Sequence, residues 1–373
     1  MILNGLEAQQ LTGVLVVAVA FLLFIITITL YYRLSVRPLQ PYLYLSGLLS
    51  AREQGIRTRK ELLSTTYETM ESLQDAYSLK KAEHEENNES SSPMKTIDAI
   101  LNRQFKETFE EIHELSPRPM KTILQTHMMF EEMLLLKLLY KRAWQIENSE
   151  ECNLTSAEIK TLPSGTIDSE TIEQALKAET TVELSRAFNA TRYERILKET
   201  PSDFQAFVKS LDNLFSIALD ETRLITKKPG YKHLKLFLAS IIDMHNLVLT
   251  MKRFDTSESF DLYEGGTIPR QKMLIIQDVQ ELLEMLQKTS YAQTINTIIE
   301  QESSKAEIQQ SILIGIRRHL MSFAKQESTM KFQHPIRVLS FILDKQSELM
   351  NIRMLALGIE NGIAKKTLER YMV

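Results

Sequence analysis

The chain is poor in the residues that crosslink or interrupt a protein. Cysteine occurs once in 373 residues, at Cys152. One cysteine forms no internal disulfide and no cysteine-based zinc site, and it fits a reducing compartment. Glycine (11) and proline (10) are scarce. With few breakers and much Leu, Glu, Lys, Met and Gln, long helices are favoured. No alternating apolar–polar run flanked by hairpin turns stands out. Charge of one sign is lacking too. The net charge of −4 leaves no strong basic field for nucleic acid. The phosphate loop GxxxxGK[ST], the dinucleotide loop GxGxxG and the nucleophile elbow GxSxG are all missing. The seven histidines are scattered, and His84-Glu-Glu has no second histidine at zinc-helix spacing. Cys152 lies in a polar stretch with no basic activator beside it. The sequence therefore predicts no catalytic residue, cofactor, metal or small-molecule substrate. Its composition, 43% hydrophobic and 25% charged, is that of a globular protein.

One long hydrophobic run is present. Ala8 to Tyr32 carries no charge, long enough to cross a hydrocarbon core of about 30 Å as a helix. A secretory signal would have basic residues before a shorter core and a small-residue cleavage site after it. Here only Glu7 flanks the front, and Tyr31-Tyr32-Arg33 follows. A retained transmembrane helix is expected over 11–32, from Leu11, with Tyr31, Tyr32 and Arg33 at the boundary. Arg37, Arg52, Arg57, Arg59 and Lys60 load the far side with positive charge. The positive-inside rule then places residues 1–10 outside and the body in the cytoplasm, as a single-pass membrane protein. The triplets at Asn88, Asn153 and Asn189 would not meet the glycosylation machinery. Gly13, Ala20 and Thr27 recur every seven residues as a small-residue stripe, of the kind that lets helices approach closely in lipid.

Beyond a linker at 33–41, three cues recur in order. The first is Thr-x-Tyr, at Thr65–Tyr67, Thr191–Tyr193 and Thr289–Tyr291. The second is a proline entering a long apolar helix, at Pro117, Pro229 and Pro335. The third is an acid 13 or 14 residues past that proline, at Glu131, Asp243 and Glu348. Asp243 and Glu348 are followed at i+3 by Asn246 and Asn351, on the same helix face. The first copy has Glu131-Glu-Met-Leu134 and lacks the amide. "PSGTIDSETIEQAL" (163–176) and "EGGTIPRQKMLIIQ" (264–277) match as glycine turns into a helix, with Asp168 and Pro269 placed to start it. The units run over 42–150, 151–262 and 263–373, each a small helical bundle. The remaining linkers are 80–93, 147–156 and 331–335. "LKLFLASIIDMHNLVLTMK" and "ILQTHMMFEEMLLLKLLYKRAW" are apolar around most of their surface. Charges interrupt them before bilayer length, so both are expected as buried core helices. A buried acid and amide must find partners. They are expected to bond a neighbouring turn or helix start rather than act as acid catalysts. Of Glu131 and Glu132, adjacent on a helix, one is expected to point inward and one outward. His245 is expected in the core or at its rim, and Met128, Met129 and Met133 as core filler.

These residues carry a resemblance. "ASIIDMHNLVLTMKRF…LYEGGTIPRQKML", "LPSGTID…AFNATRYERIL", "YLYLSGLLSAREQGIRTRKELL" and the closing "PIRVLSFILDKQSELMNIRMLALGIENGIAKKTLERYMV" are similar to the C subunits of the archaeal/vacuolar-type rotary ATPases, whose eukaryotic counterparts are the d subunits. The likeness covers about 42–373. It implies an all-α, funnel-like body of three related helical-bundle lobes, preceded here by one transmembrane helix. It also implies a non-catalytic, central-stalk (rotor) role on the cytoplasmic face of the proteolipid ring. A protein in that place receives the D and F subunits of the shaft and transmits torque that couples ion transport to ATP synthesis or hydrolysis. The membrane helix departs from that family pattern. If the body turns with the ring, the helix is expected in the ring's lumen, in contact with membrane lipid and proteolipid. The competing reading is a membrane-tethered helical-repeat adaptor with no rotary role.

Overall fold

The computed structural model describes residues 19–33, 37, 40–64, 69–76, 93–149, 165–199, 203–228, 231, 233–255, 262–299, 305–330 and 334–373. Leu11, Gly13, Pro38, Thr65–Tyr67, segment 80–92, Cys152 and Pro229 lie outside the described residues. Among those described there is no strand. The chain is all-α. Helix α1 is Val19–Tyr31. It is followed by α2 (Pro41–Glu53), α3 (Arg59–Ser64), α4 (Met70–Ala76), α5 (Pro93–Leu115) and α6 (Arg118–Glu147). Then come α7 (Ser169–Lys177), α8 (Thr181–Ala187), α9 (Glu194–Glu199), α10 (Phe204–Thr226) and α11 (Leu234–Asp255). The rest are α12 (Arg270–Leu274), α13 (Val279–Leu286), α14 (Ala292–Ile299), α15 (Lys305–Met330), α16 (Ile336–Glu360) and α17 (Lys365–Tyr371).

Local chemistry starts these helices. The Asp168 carboxylate accepts the Thr171 N–H at 2.7 Å and caps α7. Asp203 caps α10 through the Gln205 and Ala206 N–H groups. At α8 the Thr180 hydroxyl accepts the Glu183 N–H, and the Glu183 carboxylate reaches back to the Glu179 N–H. The same device starts α13: Asp278 accepts the Glu281 N–H, and Glu281 takes the Gln277 N–H. Each cap satisfies orphan N–H groups of a first turn and is worth about 1 kcal/mol. Pro117 and Pro335 stand at the N-caps of α6 and α16, where a missing N–H costs nothing.

Burial then assembles them. Helix α10 buries Phe207, Leu211, Phe215, Leu219, Thr222 and Thr226, a single stripe at helical spacing, and lays it on α6. Full burial of each such Phe or Leu gains about 1.5–3 kcal/mol before ordering costs. Helix α16 is buried nearly all round and touches α2, α3, α4, α5, α15 and α17. Two apolar cores result. One joins α2 to α5 with the front of α6, the start of α11, and α16 and α17. The other joins the rear of α6, α7 to α10, the rear of α11, and α12 to α14. Helix α15 adds Ile312 and Ile316 to the second core and Leu320 and Ala324 to the first, so α6, α11 and α15 serve both.

Helix α1 takes no part in either core. Its large side chains are between 45% and 65% exposed, with nothing of the body laid against them. The described helix both long and apolar enough to span a bilayer is a different one, Leu234–Phe254 in α11. Of its most apolar window 78% is buried inside the body, as expected for a core helix.

Candidate functional site

The chemistry-bearing residues gather where the long helices hold the turns of other segments. Asp243, in the middle of α11, has no exposed surface. Its Oδ2 accepts the Thr267 N–H at 3.0 Å, the Thr267 hydroxyl, and the Tyr291 hydroxyl at 2.8 Å. Its Oδ1 accepts the Ile268 N–H at 3.0 Å. The turn comes this close because Gly265 adopts φ +90° and a Cβ on Gly266 would lie 2.1 Å from Asp243 Oδ1. Burial pushes the Asp243 carboxyl above its usual range, while the hydrogen bonds to Thr267, Ile268 and Tyr291 pull it down. Burial, and then the carboxylate itself, raise the Tyr291 phenol.

Helix α6 repeats this arrangement through Glu132. Its Oε1 accepts the Thr166 N–H at 2.7 Å and the Thr166 hydroxyl at 2.6 Å, and its Oε2 accepts the Tyr193 hydroxyl. Gly165 holds φ +60°, and a Cβ there would meet the Glu132 side chain at 2.4 Å. Thr191 and Thr289 play one part each: the threonine hydroxyl accepts the N–H of Tyr193 or Tyr291 and so aims the phenol at the acid. Glu131, by contrast, turns to Arg317 of α15 at 3.3 Å. The expected split into one inward and one outward acid does not occur. Both carboxylates are buried, because α6 has packed neighbours on both sides, the 165–193 segment and α15.

Glu348 of α16 receives the front of the chain. Its Oε1 accepts the Arg57 N–H at 2.8 Å, just after Gly55-Ile56, and its Oε2 accepts the Lys345 ammonium at 2.6 Å. The amides form a second kind of clamp. Asn246 donates to Tyr263 O at 2.8 Å and accepts the Tyr263 N–H at 2.7 Å. Asn351 does the same with Val373, at 2.7 and 2.8 Å. Each side chain pairs with one residue's backbone as a strand neighbour would. Leu135 takes the corresponding i+3 place after Glu132.

The rest is packing. His245 sits among the rings of Phe130, Phe215 and Tyr263 at 4.8–5.4 Å. Burial, with Lys137 and Lys252 nearby, drives its pKa well down, so the imidazole is neutral. Met128, Met129 and Met133 are buried. Tyr31, Tyr32 and Arg33 are exposed at the end of α1, as are Ala20 and Thr27 along it. No cluster of three or more His, Cys, Asp or Glu able to hold a metal occurs among the described residues. Asp243 and Glu132 accept from backbone and hydroxyl groups of their own chain, and Glu131 and Glu348 also take Arg317 and Lys345, an arrangement that ties segments together.

Sequence reasoning took Glu131 rather than Glu132 as the repeated acid and gave no docking role to Thr166, Thr267 or Arg57. The Gly-Thr pair common to 165–166 and 266–267 was the usable signal for Glu132 and the two threonines. Nothing in the sequence linked Arg57 to Glu348.

A family model described as ATP synthase (C/AC39) subunit matches residues 45–371. The C subunit of the A-type ATP synthase of Methanocaldococcus jannaschii is 22% identical over 343 residues, covering 87% of this chain and 84% of that protein.

Proposed function

The chain belongs to the ATP synthase (C/AC39) subunit family, and from that premise we propose that it is the coupling element of a rotary ATPase, joining a proteolipid ring to the D and F subunits of the shaft. Family membership makes it a non-catalytic part of an A/V-type complex. The observation that carries the proposal is the extent of the match. It runs from the first turns of α2 to the last residues of α17, the whole body, and leaves out α1.

The body is read as three copies of one plan, over 42–150, 151–262 and 263–373, assembled as a funnel. Several contacts support this. A glycine turn docks on Glu132 and again on Asp243, each with a Thr-aimed tyrosine. The same capping box starts α8 and α13. The front segment meets Glu348 through Arg57. Each long helix thereby binds the opening turn of another unit, which suits a stiff body that must pass torque without shearing between units.

Helix α1 is read as the end of a membrane span over 11–32, with the body on the cytoplasmic side. Its exposure and its apolar surface support this, and so does the continuous apolar sequence ahead of it. A helix fixed to a turning body is free of the stationary subunits only inside the ring, and we assign it there.

The test is a mild-detergent pull-down of the full chain beside the chain beginning at Leu39, each assayed for ring and shaft proteins. Both are expected to bring down the shaft, and the full chain to retain more ring. If neither brings down either partner, the rotary reading fails and a membrane-tethered adaptor replaces it. Crosslinks from α1 confined to stationary subunits would remove the lumen assignment alone.

A further inference from the structure

The corner between α10 and α11 is basic, apolar and unusually placed. Residues 224–236 contain no acid. Lys227, Lys228 and Lys235 are all exposed there. Leu224, in the last turn of α10, is 61% exposed, and Leu236, in the first turn of α11, is 49% exposed. Lysines alone read as a solvated surface. Two large leucines standing out among them, each within one turn of the corner, do not.

Its position decides what it meets. The Tyr231 hydroxyl, in the corner itself, is hydrogen-bonded to the Tyr42 hydroxyl at 3.0 Å in a buried contact. Tyr42 lies in the first turn of α2. Two residues earlier, Gln40 accepts the Tyr32 hydroxyl at 3.4 Å, at the end of α1. The Arg37 N–H is bonded to Tyr32 O at 2.8 Å, a π-type turn at the end of α1. Gln40 and Tyr42 are separated by at most about 7 Å of chain. The corner is therefore pinned close to the end of α1, whose tyrosines mark a bilayer boundary. The headgroup layer adds about 5–7 Å per leaflet, and charges act over a further 8 Å or so at physiological salt.

We propose that the α10–α11 corner is a second, peripheral membrane contact, which sets Leu224 and Leu236 into the headgroup layer and Lys227, Lys228 and Lys235 against anionic lipid phosphates. This rests on the reading of α1 as a membrane helix. An apolar pair flanked by lysines is the pattern of interfacial anchoring. With α1 in the ring's lumen, the lipid the corner meets is the lipid enclosed by the ring, which turns with the body.

Site-directed nitroxides test it. On a Cys152→Ser background, Leu236→Cys and, separately, Leu224→Cys are labelled in the full chain and reconstituted into phosphatidylcholine vesicles with and without phosphatidylglycerol. Flotation is read first. The expected result is that the chain floats with both vesicles. Both labels then shift from water-side to lipid-side relaxation when phosphatidylglycerol is present, and shift back in high salt. A Lys227→Glu, Lys228→Glu, Lys235→Glu variant still floats, and its label at 236 loses the lipid-side signal. A chain that does not float sinks the membrane reading of α1 and this inference with it. A chain that floats with both labels in water overturns the corner contact alone. Burial of the labels only after proteolipid ring is added overturns it as well, assigning the corner to protein.

Discussion

Helices α1 and α11 are both strongly apolar and stand in opposite surroundings. Every large side chain of α1 faces outward, whereas α11 is enclosed by the body. Hydropathy does not separate them; their polar residues do. On α11 Asp243, Asn246 and Thr250 are fully buried, and the acid and amide are bound to segments 17 to 48 residues away. On α1 Thr27 bonds only the Leu23 carbonyl of its own helix, at 2.8 Å. A polar group that needs a distant partner commits a helix to a protein core. A hydroxyl that closes on its own backbone commits it to nothing, and lipid tolerates it.

The largest effect expected from this contrast comes from putting a charge in each helix. Leu247→Lys buries an unpaired ammonium at a site with no exposed surface. It should cost more than about 4 kcal/mol and abolish cooperative melting of the body. Phe24→Lys should leave the body's melting temperature unchanged in detergent while weakening membrane retention, by about 3 kcal/mol if the span centres there. Equal melting losses in the two variants would erase the distinction.

Next is Asp243→Ala. It strands the Thr267 and Ile268 N–H groups and the Tyr291 hydroxyl, and should destabilise by about 3–5 kcal/mol in chemical denaturation. Asn246→Ala removes two bonds to Tyr263 and should cost about 2–3 kcal/mol, with an altered Tyr263 environment in fluorescence.

The smallest effect depends on pH. Burial, with Glu53 nearby, lifts the Asp344 carboxyl to about 6, against the pull of Lys325. Its ordinary value is 3.8, so the native state holds the proton more tightly than the unfolded chain. The penalty is absent below pH 4, grows as pH rises toward 6, and is complete above that. Asp344→Asn should therefore melt higher than the parent at pH 7.5, by about 1–2 kcal/mol, and match it at pH 3.5. A gain that is the same at both pH values would break this assignment.

How far the sequence could be read follows the range of the interactions. Helices, caps and the glycine turns depend on neighbours a few residues apart, and Asp168 starts its helix where the residues say it should. Register is harder. Glu131 and Glu132 are the same residue type side by side, and the choice between them rests on where the 165–193 segment and α15 settle. The cue at Thr65–Tyr67 falls between α3 and α4. Its counterparts fall between α8 and α9 and between α13 and α14, the same step in the helix order, but residues 65–67 themselves lie outside the described residues. Arg57 and Glu348 are 291 residues apart, and one backbone N–H leaves no mark on a side-chain pattern.

Helix α16 has a mechanical consequence. In the proposed reading of α1 as an anchor, a pull on it would enter the body at α2. That helix is tied to α16 by Arg337, which holds Glu53 and Ser50 at 2.8 Å each. Four residues past α2, the Arg57 backbone is held by Glu348, and one turn further along α16 Asn351 grips Val373. The last long helix is thus joined directly to α2 and to the segment after it, alongside the Tyr42–Tyr231 contact that ties α2 to the α10–α11 corner. In a machine drawing α16 would be the hub to which α2, the segment after it and Val373 are all keyed.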